Sequence, residues 1–263
     1  MKKLIKLLTA ALILFSGCST ENTLYEEIIN SENFKTDFLS ETTAQENIKE
    51  TEADVNGEEA ATLLYMGQAS IRIVTVENKV IYIDPYAGDS YDLPADLILV
   101  THAHFDHNQI SKVENRNPDC IIITQDEALE NGEHQIFDLG YVTLEAVEAG
   151  YNDWHDITDS VGYILTFSSN GRSVYVTGDT SATEQMPLLA EKEIDYAFFC
   201  CDGVFNMGLE EAAWCAEQVN AKHNIPYHMT TNTENNGFDR SIAERFEAEN
   251  LLIIEDGEEI KIV

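Results

Sequence analysis

The stretch Asp96-Leu-Ile-Leu-Val-Thr101-His-Ala-His-Phe-Asp-His-Asn108 decides how this chain is read. Its first part, Asp96 to Val100, is an apolar run that reads as a buried strand. Its second part packs three histidines and a carboxylate into residues 102–107, on the loop leaving the strand's carboxyl end. Open α/β sheets commonly place their sites at such ends. His102 and His104, two apart on an extended chain, project to one side and can clamp one metal ion. Asp106 and His107 follow a turn later and can face a second. The chain holds seven histidines in all, so three at this spacing argue against a chance cluster.

Working outward, strands are expected at 62–66, 70–76, 79–84, 120–124, 134–138, 141–147, 162–167, 173–177, 196–200 and 225–228. Two closing strands follow after 250. Gly67, Glu77-Asn78, Asp84-Pro85 and Ser168-Ser-Asn-Gly171 punctuate them. Helices are expected from Asn108 to about Glu114, and over 126–131, 181–191, 209–221 and 240–250. Many strands first, then alternation with helices, point to an α/β (α+β) chain with two mixed sheets between outer helices.

Three further candidate ligands stand just past a strand or turn: His155 in Ala149-Gly-Tyr-Asn-Asp-Trp-His, Asp179 in Tyr175-Val-Thr-Gly-Asp-Thr, and His228 in Ile225-Pro-Tyr-His. Alone, each has a bland reading: a surface histidine, a helix cap ahead of Ser181, a core histidine. Together with the loop at His102 they complete two metal sites sharing one carboxylate.

These motifs resemble the metallo-β-lactamase-fold hydrolases. Val100-Thr-His-Ala-His-Phe-Asp-His107 is similar to their metal-binding signature. Leu64-Tyr-Met-Gly-Gln-Ala-Ser, Ile81-Tyr-Ile-Asp-Pro-Tyr, Val174-Tyr-Val-Thr-Gly-Asp-Thr, Glu210-Glu-Ala-Ala and Ile225-Pro-Tyr-His follow in the family's order. The likeness covers about residues 61–263 and is nearest to the L-ascorbate-6-phosphate lactonase-like branch. It implies a four-layer αβ/βα sandwich. It assigns His102, His104 and His155 to a first ion, and Asp106, His107 and His228 to a second, with Asp179 bridging. Asp84 resembles the carboxylate that orients a ligand histidine, although an aspartate before Pro85 is equally a turn former. One departure stands out: many relatives carry glycine-histidine where this chain has Gly67-Gln68.

The chemistry implied is hydrolysis by a hydroxide activated between two divalent ions, with Asp106 also able to shuttle a proton. Imidazole and carboxylate without thiolate suit zinc first, with manganese or iron compatible. The substrate would be a small molecule with a lactone, ester or phosphodiester bond. A true zinc β-lactamase is the enzymatic alternative, disfavoured because those enzymes lack the bridging aspartate. A metal- or ligand-binding lipoprotein without turnover is the non-enzymatic one.

Residues 1–17 join a basic tip (Lys2, Lys3, Lys6) to an apolar run and resemble a secretory leader. Phe15-Ser-Gly-Cys18 is similar to a lipoprotein box, so Cys18 is expected to carry a lipid anchor at the extracytoplasmic face of the membrane. Residues 18–60, rich in Glu, Thr, Asn and Ser, read as an acidic, disordered tether ahead of a catalytic domain at 61–263. The formal net charge of −33 disfavours nucleic acid as a partner. Five cysteines without a C-x-x-C pair are expected as free or partly buried thiols. Cys200-Cys201 reads as strand-end filling, and Trp154 and Phe205-Asn206-Met207 as core more readily than pocket wall. His134 and His223 read as surface residues.

Overall fold

The first strand is buried on both faces: Leu63 and Tyr65 face one hydrophobic cluster and Leu64 and Met66 another. A strand with both faces apolar belongs inside a layered fold rather than at its surface. The computed structural model describes residues 60–231 and 234–263. The expected leader and Cys18, and the tether except for its last residue, lie outside the described residues.

The chain starts with β1 (Ala61–Gly67), β2 (Ser70–Val74), β3 (Val80–Ile83), β4 (Ala95–Leu99) and β5 (Arg116–Ile123). A one-turn helix, α1 (Gln125–Ala128), and a small hairpin of β6 (Leu129–Glu130) and β7 (Glu133–His134) follow. Then come β8 (Ile136–Asp138), β9 (Val142–Glu148), β10 (Val161–Phe167), β11 (Ser173–Val176), α2 (Met186–Leu189) and β12 (Tyr196–Cys200). The chain closes with α3 (Leu209–Val219), β13 (His223–Tyr227), α4 (Arg240–Ala243) and β14 (Glu259–Ile262).

Two six-stranded mixed sheets result, ordered β14-β1-β2-β3-β4-β5 and β13-β12-β11-β10-β9-β8. In the first, β3, β4 and β5 run parallel; in the second, β11, β12 and β13 do. The sheets share one core, and the rings of Tyr65 on β1 and Phe198 on β12 meet across it at 6.4 Å. The outer face of the first sheet is covered by Tyr91, Val113 and their neighbours. The same device opens a parallel strand in each sheet. Asp96 of β4 accepts from Val80 N–H and the Lys79 ammonium, and Asp195, just before β12, accepts from Ser173 N–H, Arg172 and Lys222.

The helical layers are thinner than expected. Among the described residues only α3 exceeds four residues, apart from short 3₁₀ turns. After the histidine loop there is only a 3₁₀ turn at Ile110–Lys112, held by Gln109 N–H on Pro85 O and by the Arg116 guanidinium on the Ile110 and Val113 carbonyls. Over 181–185 no helix forms: Thr180 bridges to Gly150, Ser181 N–H donates to Gly150 O, and the helical turn begins only at Met186. The helix at 240 stops at Ala243, and Phe246 turns inward to pack 6.3 Å from Phe199. Of the two closing strands only β14 forms; Leu251 makes a single bridge to Asn224.

Candidate metal centre

The parallel strands of the two sheets deliver their carboxyl ends to one place. β4 is followed by the loop from Thr101 to His107, β11 by Gly178-Asp179, β13 by His228, and β3 by Asp84. His102 is fixed by a bridge to Ser160, and His107 by a turn in which its N–H donates to His104 O. At Gly178 the backbone is left-handed (φ +63), and a Cβ would lie 2.8 Å from Val161 O and 3.1 Å from Thr101 Cβ. Only glycine lets β11 turn there and present Asp179 to the histidines. Three other residues here, Gln68, Asp84 and His228, hold positive φ of 49, 45 and 44 degrees without being glycine. Such backbone strain collects at functional sites.

All seven sequence-predicted ligands converge. His102, His104 and His155 bring donor atoms within 4.8 Å of one another, as do Asp106, His107 and His228, and His102, His107 and Asp179. Asp179 lies between the trios: its Oδ2 is 3.4 Å from the Nε2 of both His155 and His228, and its Oδ1 is 3.3 Å from His107 Nε2. His104 Nδ1 and His155 Nε2 face each other at 3.1 Å. His102, His107, His155, Asp179 and His228 are buried, whereas His104 is exposed and Asp106 half-buried. The centre therefore opens to solvent on the side of His104 and Asp106.

The outer nitrogens of three rings are hydrogen-bonded, and that of a fourth faces a carboxylate. His107 Nδ1 lies 2.8 Å from Asp84 Oδ2, and His155 Nδ1 3.1 Å from Asn152 Oδ1. Thr101 Oγ1 donates to Asp84 Oδ2 and so offers a lone pair to His102 Nδ1, 3.1 Å away. Asp202 Oδ2 lies 3.4 Å from His228 Nδ1. Pinning the Nδ1 side leaves Nε2 as the inward-facing donor of each ring. The Nε2 atoms of His102 and His107 and Oδ1 of Asp179 are buried without a hydrogen-bond partner. Buried polar atoms left open cost free energy, and a cation removes that cost. The donor set fits a divalent metal.

Electrostatics agree. Burial opposes charge on His228, but the Asp179, Asp106 and Asp202 carboxylates outweigh it and push its pKa up to about 10. Burial likewise opposes charge on His107, yet Asp179 and Asp84 raise it well above the usual histidine range. Burial raises Asp179, but the neighbouring His228 and His107 charges hold it well below the usual carboxylate range. His102 and His155 are pushed down by burial and by adjacent imidazoles.

Two contributors were not assigned a role from sequence. Gln68, where a histidine is common in the resembling family, is buried and donates Nε2 to Asp106 Oδ2 at 3.1 Å, with the same nitrogen 3.0 Å from His228 Nε2. Its Oε1 has no partner. Asp202, in the Cys-Cys-Asp-Gly turn, meets His228 and accepts from Val204 and Phe205 N–H. The thiols beside it are filling: burial raises Cys200 well above its ordinary value and Cys201 to about 12. No disulfide forms among the described cysteines. Met207 and Asn206 are buried, while Trp154 is 60% and Phe205 38% exposed, so these two rings are not core. His134 and His223 are half-buried rather than exposed, the latter stacked on Tyr196, because both stand in strands.

A family model for the β-lactamase superfamily domain matches residues 62–228. The chain is 30% identical over 194 residues to a UPF0173 metal-dependent hydrolase of Geobacillus thermodenitrificans, covering 64% of this chain and 84% of that protein. It is 30% identical over 249 residues to one of Thermodesulfovibrio yellowstonii, covering 77% and 92%. Among solved structures, it superposes on a protein described as a metal-dependent hydrolase from Parabacteroides distasonis. The TM-score is 0.61 and the identity 26%, over 75% of this chain and 94% of the other. Igni18, a metallo hydrolase from Ignicoccus hospitalis, shares the fold at 17% identity and a TM-score of 0.58, over 78% and 99%.

Proposed function

The chain belongs to the UPF0173 metal-dependent hydrolases of the β-lactamase superfamily, and on that premise we propose that it holds two divalent ions and cleaves a lactone, carboxylic ester or phosphodiester bond. In this reading His102, His104 and His155 hold one ion, Asp106, His107 and His228 the other, and Asp179 spans both. The observation that carries it is the Asp179 carboxylate, within 3.4 Å of an Nε2 from each trio. Zinc suits the donors first; manganese and iron also fit.

When bound, such ions supply a water of lowered pKa and a Lewis acid for charge developing on substrate oxygen. The chain's residues do the rest. Asp84, Asn152 and Thr101 keep His107, His155 and His102 in the tautomer that points Nε2 inward. Asp106, half-buried between the centre and solvent and steadied by Gln68, takes a proton from the attacking water and returns it to the leaving oxygen. Likeness to the L-ascorbate-6-phosphate lactonase-like branch supports an acyl substrate over a phosphodiester. The leader-like residues 1–17 and the lipoprotein-like Phe15-Ser-Gly-Cys18 support anchoring outside the cytoplasm through Cys18.

The test is a panel of chromogenic lactones, esters, phosphodiesters and a β-lactam, run before and after exhaustive chelation, on the wild type and on Asp179→Ala and His104→Ala. Hydrolysis is expected to vanish with the metal in all three treatments. Full activity in either variant, or after chelation, overturns the reading.

A further inference from the structure

Exposed aromatic side chains stand on the loops that carry the centre's residues. Phe105 stands between His104 and Asp106, the two members of the centre that reach solvent, and is 71% exposed. Its ring meets the edge of Tyr86, two residues past Asp84, at 5.7 Å. Trp154 adjoins His155 and stands on the turn that Asn152 closes through the N–H groups of Trp154 and His155. Phe205 stands on the turn closed by Asp202, the residue that meets His228. Trp154 and Phe205 pack edge to face at 5.0 Å, so one aromatic pair links the loop behind the first trio to the loop behind the second. Exposed apolar side chains scattered singly need no explanation, but rings gathered beside a polar centre mark a binding surface.

Charge points the same way. Among the described residues no lysine or arginine makes an ion pair or hydrogen bond to any residue of the centre. Lys112, the cation beside Tyr86, is turned onto the Tyr86 and Gly88 carbonyls, and Arg72 onto Asp92 and Glu259. Apart from a metal ion itself, arginine and lysine are the groups that hold a substrate phosphate. Here the surroundings of the centre are aromatic and acidic.

From this arrangement we infer that the rings of Phe105, Trp154 and Phe205 form a binding site for the hydrocarbon or aryl part of an uncharged ester or lactone. The inference rests on the hydrolase reading and narrows its substrate. In the reaction the water oxygen bonds to the carbonyl carbon and the acyl carbon–oxygen bond breaks. The departing oxygen keeps the bond pair and takes the proton the water gives up. The aromatic site holds the part of the molecule that does not react, so its effect falls on binding.

The test has two arms on the full-length, metal-loaded protein. In the first, p-nitrophenyl esters from acetate to octanoate are compared with p-nitrophenyl phosphate. The expected result is a kcat/KM that rises about two- to fourfold per methylene, and negligible turnover of the phosphate. A Trp154→Ala/Phe205→Ala double variant should lose at least tenfold on the octanoate, through KM, and flatten the dependence on chain length. In the second arm, Trp214→Phe leaves Trp154 as the only tryptophan, and its emission is titrated with the uncharged ketone heptanophenone or with phenyl phosphate. Saturation by the ketone alone, weakened about tenfold by Phe205→Ala, is expected. A flat chain-length series, or phenyl phosphate bound as well as the ketone, overturns the inference. If the ketone binds but no ester or lactone turns over, the hydrolase reading fails and the aromatic site stands. If esters turn over without regard to chain length, the reverse holds.

Discussion

Asp84→Asn isolates the support beneath the centre without changing its volume. The Asp84 carboxylate, 1% exposed, accepts three hydrogen bonds: Thr101 N–H at 2.8 Å on Oδ1, and Thr101 Oγ1 at 2.7 Å and His107 Nδ1 at 2.8 Å on Oδ2. An asparagine has one acceptor oxygen and one amide donor. If its oxygen faces His107, its NH2 opposes Thr101 N–H and a buried donor is orphaned. If its NH2 faces His107, the imidazole must carry its proton on Nε2 and cannot ligate a metal there. Either way one hydrogen bond to a charged acceptor is lost, worth about 1.5–3 kcal/mol. Loss of an outer partner of a ligand histidine typically weakens metal binding by about 10–100-fold, or about 1.4–2.7 kcal/mol. Zinc titration with a competing chromophoric chelator should show the ion at His107 weakened by that factor and the ion at His102, which Asp84 reaches only through Thr101, weakened less. Equal affinity of Asp84→Asn and wild type for both ions, with equal melting temperatures, would refute the reasoning.

Other consequences are more local. At Gly178, alanine would meet Val161 O and force a left-handed backbone on a Cβ residue, so Gly178→Ala should lower the melting temperature and the bound metal together. Asp195 is held below its ordinary pKa: burial raises it, but Lys222, Ser173 N–H and Arg172 outweigh that. Its stabilisation is therefore present above about pH 4, the unfolded carboxylate value, and is lost as pH falls through the depressed folded value. Asp195→Asn should cost about 2 kcal/mol at pH 7, or about 4–8 °C in melting temperature, and its deficit should shrink in acid; a deficit constant down to pH 2 contradicts this. Native alkylation at pH 8 followed by peptide mapping should label Cys120 and spare Cys200, Cys201 and Cys215, which are buried with raised thiol pKa values.

The strands and the seven converging side chains were legible because their signals are local. Apolar runs such as Asp96–Val100 carry the core, and each candidate ligand follows a strand end. Helix lengths were not legible. Residues 244–250 have good helical composition, but Phe246 gains more by packing on Phe199 than by continuing the turn. Thr180 and Ser181 gain backbone pairing with Gly150 that no local pattern announces. The supports of the centre were only partly visible. Asp84 carried two readings until His107 and Thr101 were found on its oxygens. Asp202 and Gln68 act across 26 and 160 positions of sequence on His228, a distance over which spacing holds no information. Trp154 and Phe205 read as core because aromatic residues usually are; their exposed pairing exists only in three dimensions.

The most direct measurement of the central claim is the number of metal ions per chain, by elemental analysis of the zinc-reconstituted protein alongside His104→Ala, His228→Ala and Asp179→Ala. Two ions in the wild type, one in each histidine variant and fewer than two in Asp179→Ala are predicted. A single ion in the wild type, or two ions retained in both histidine variants, would contradict a centre of two sites joined at Asp179.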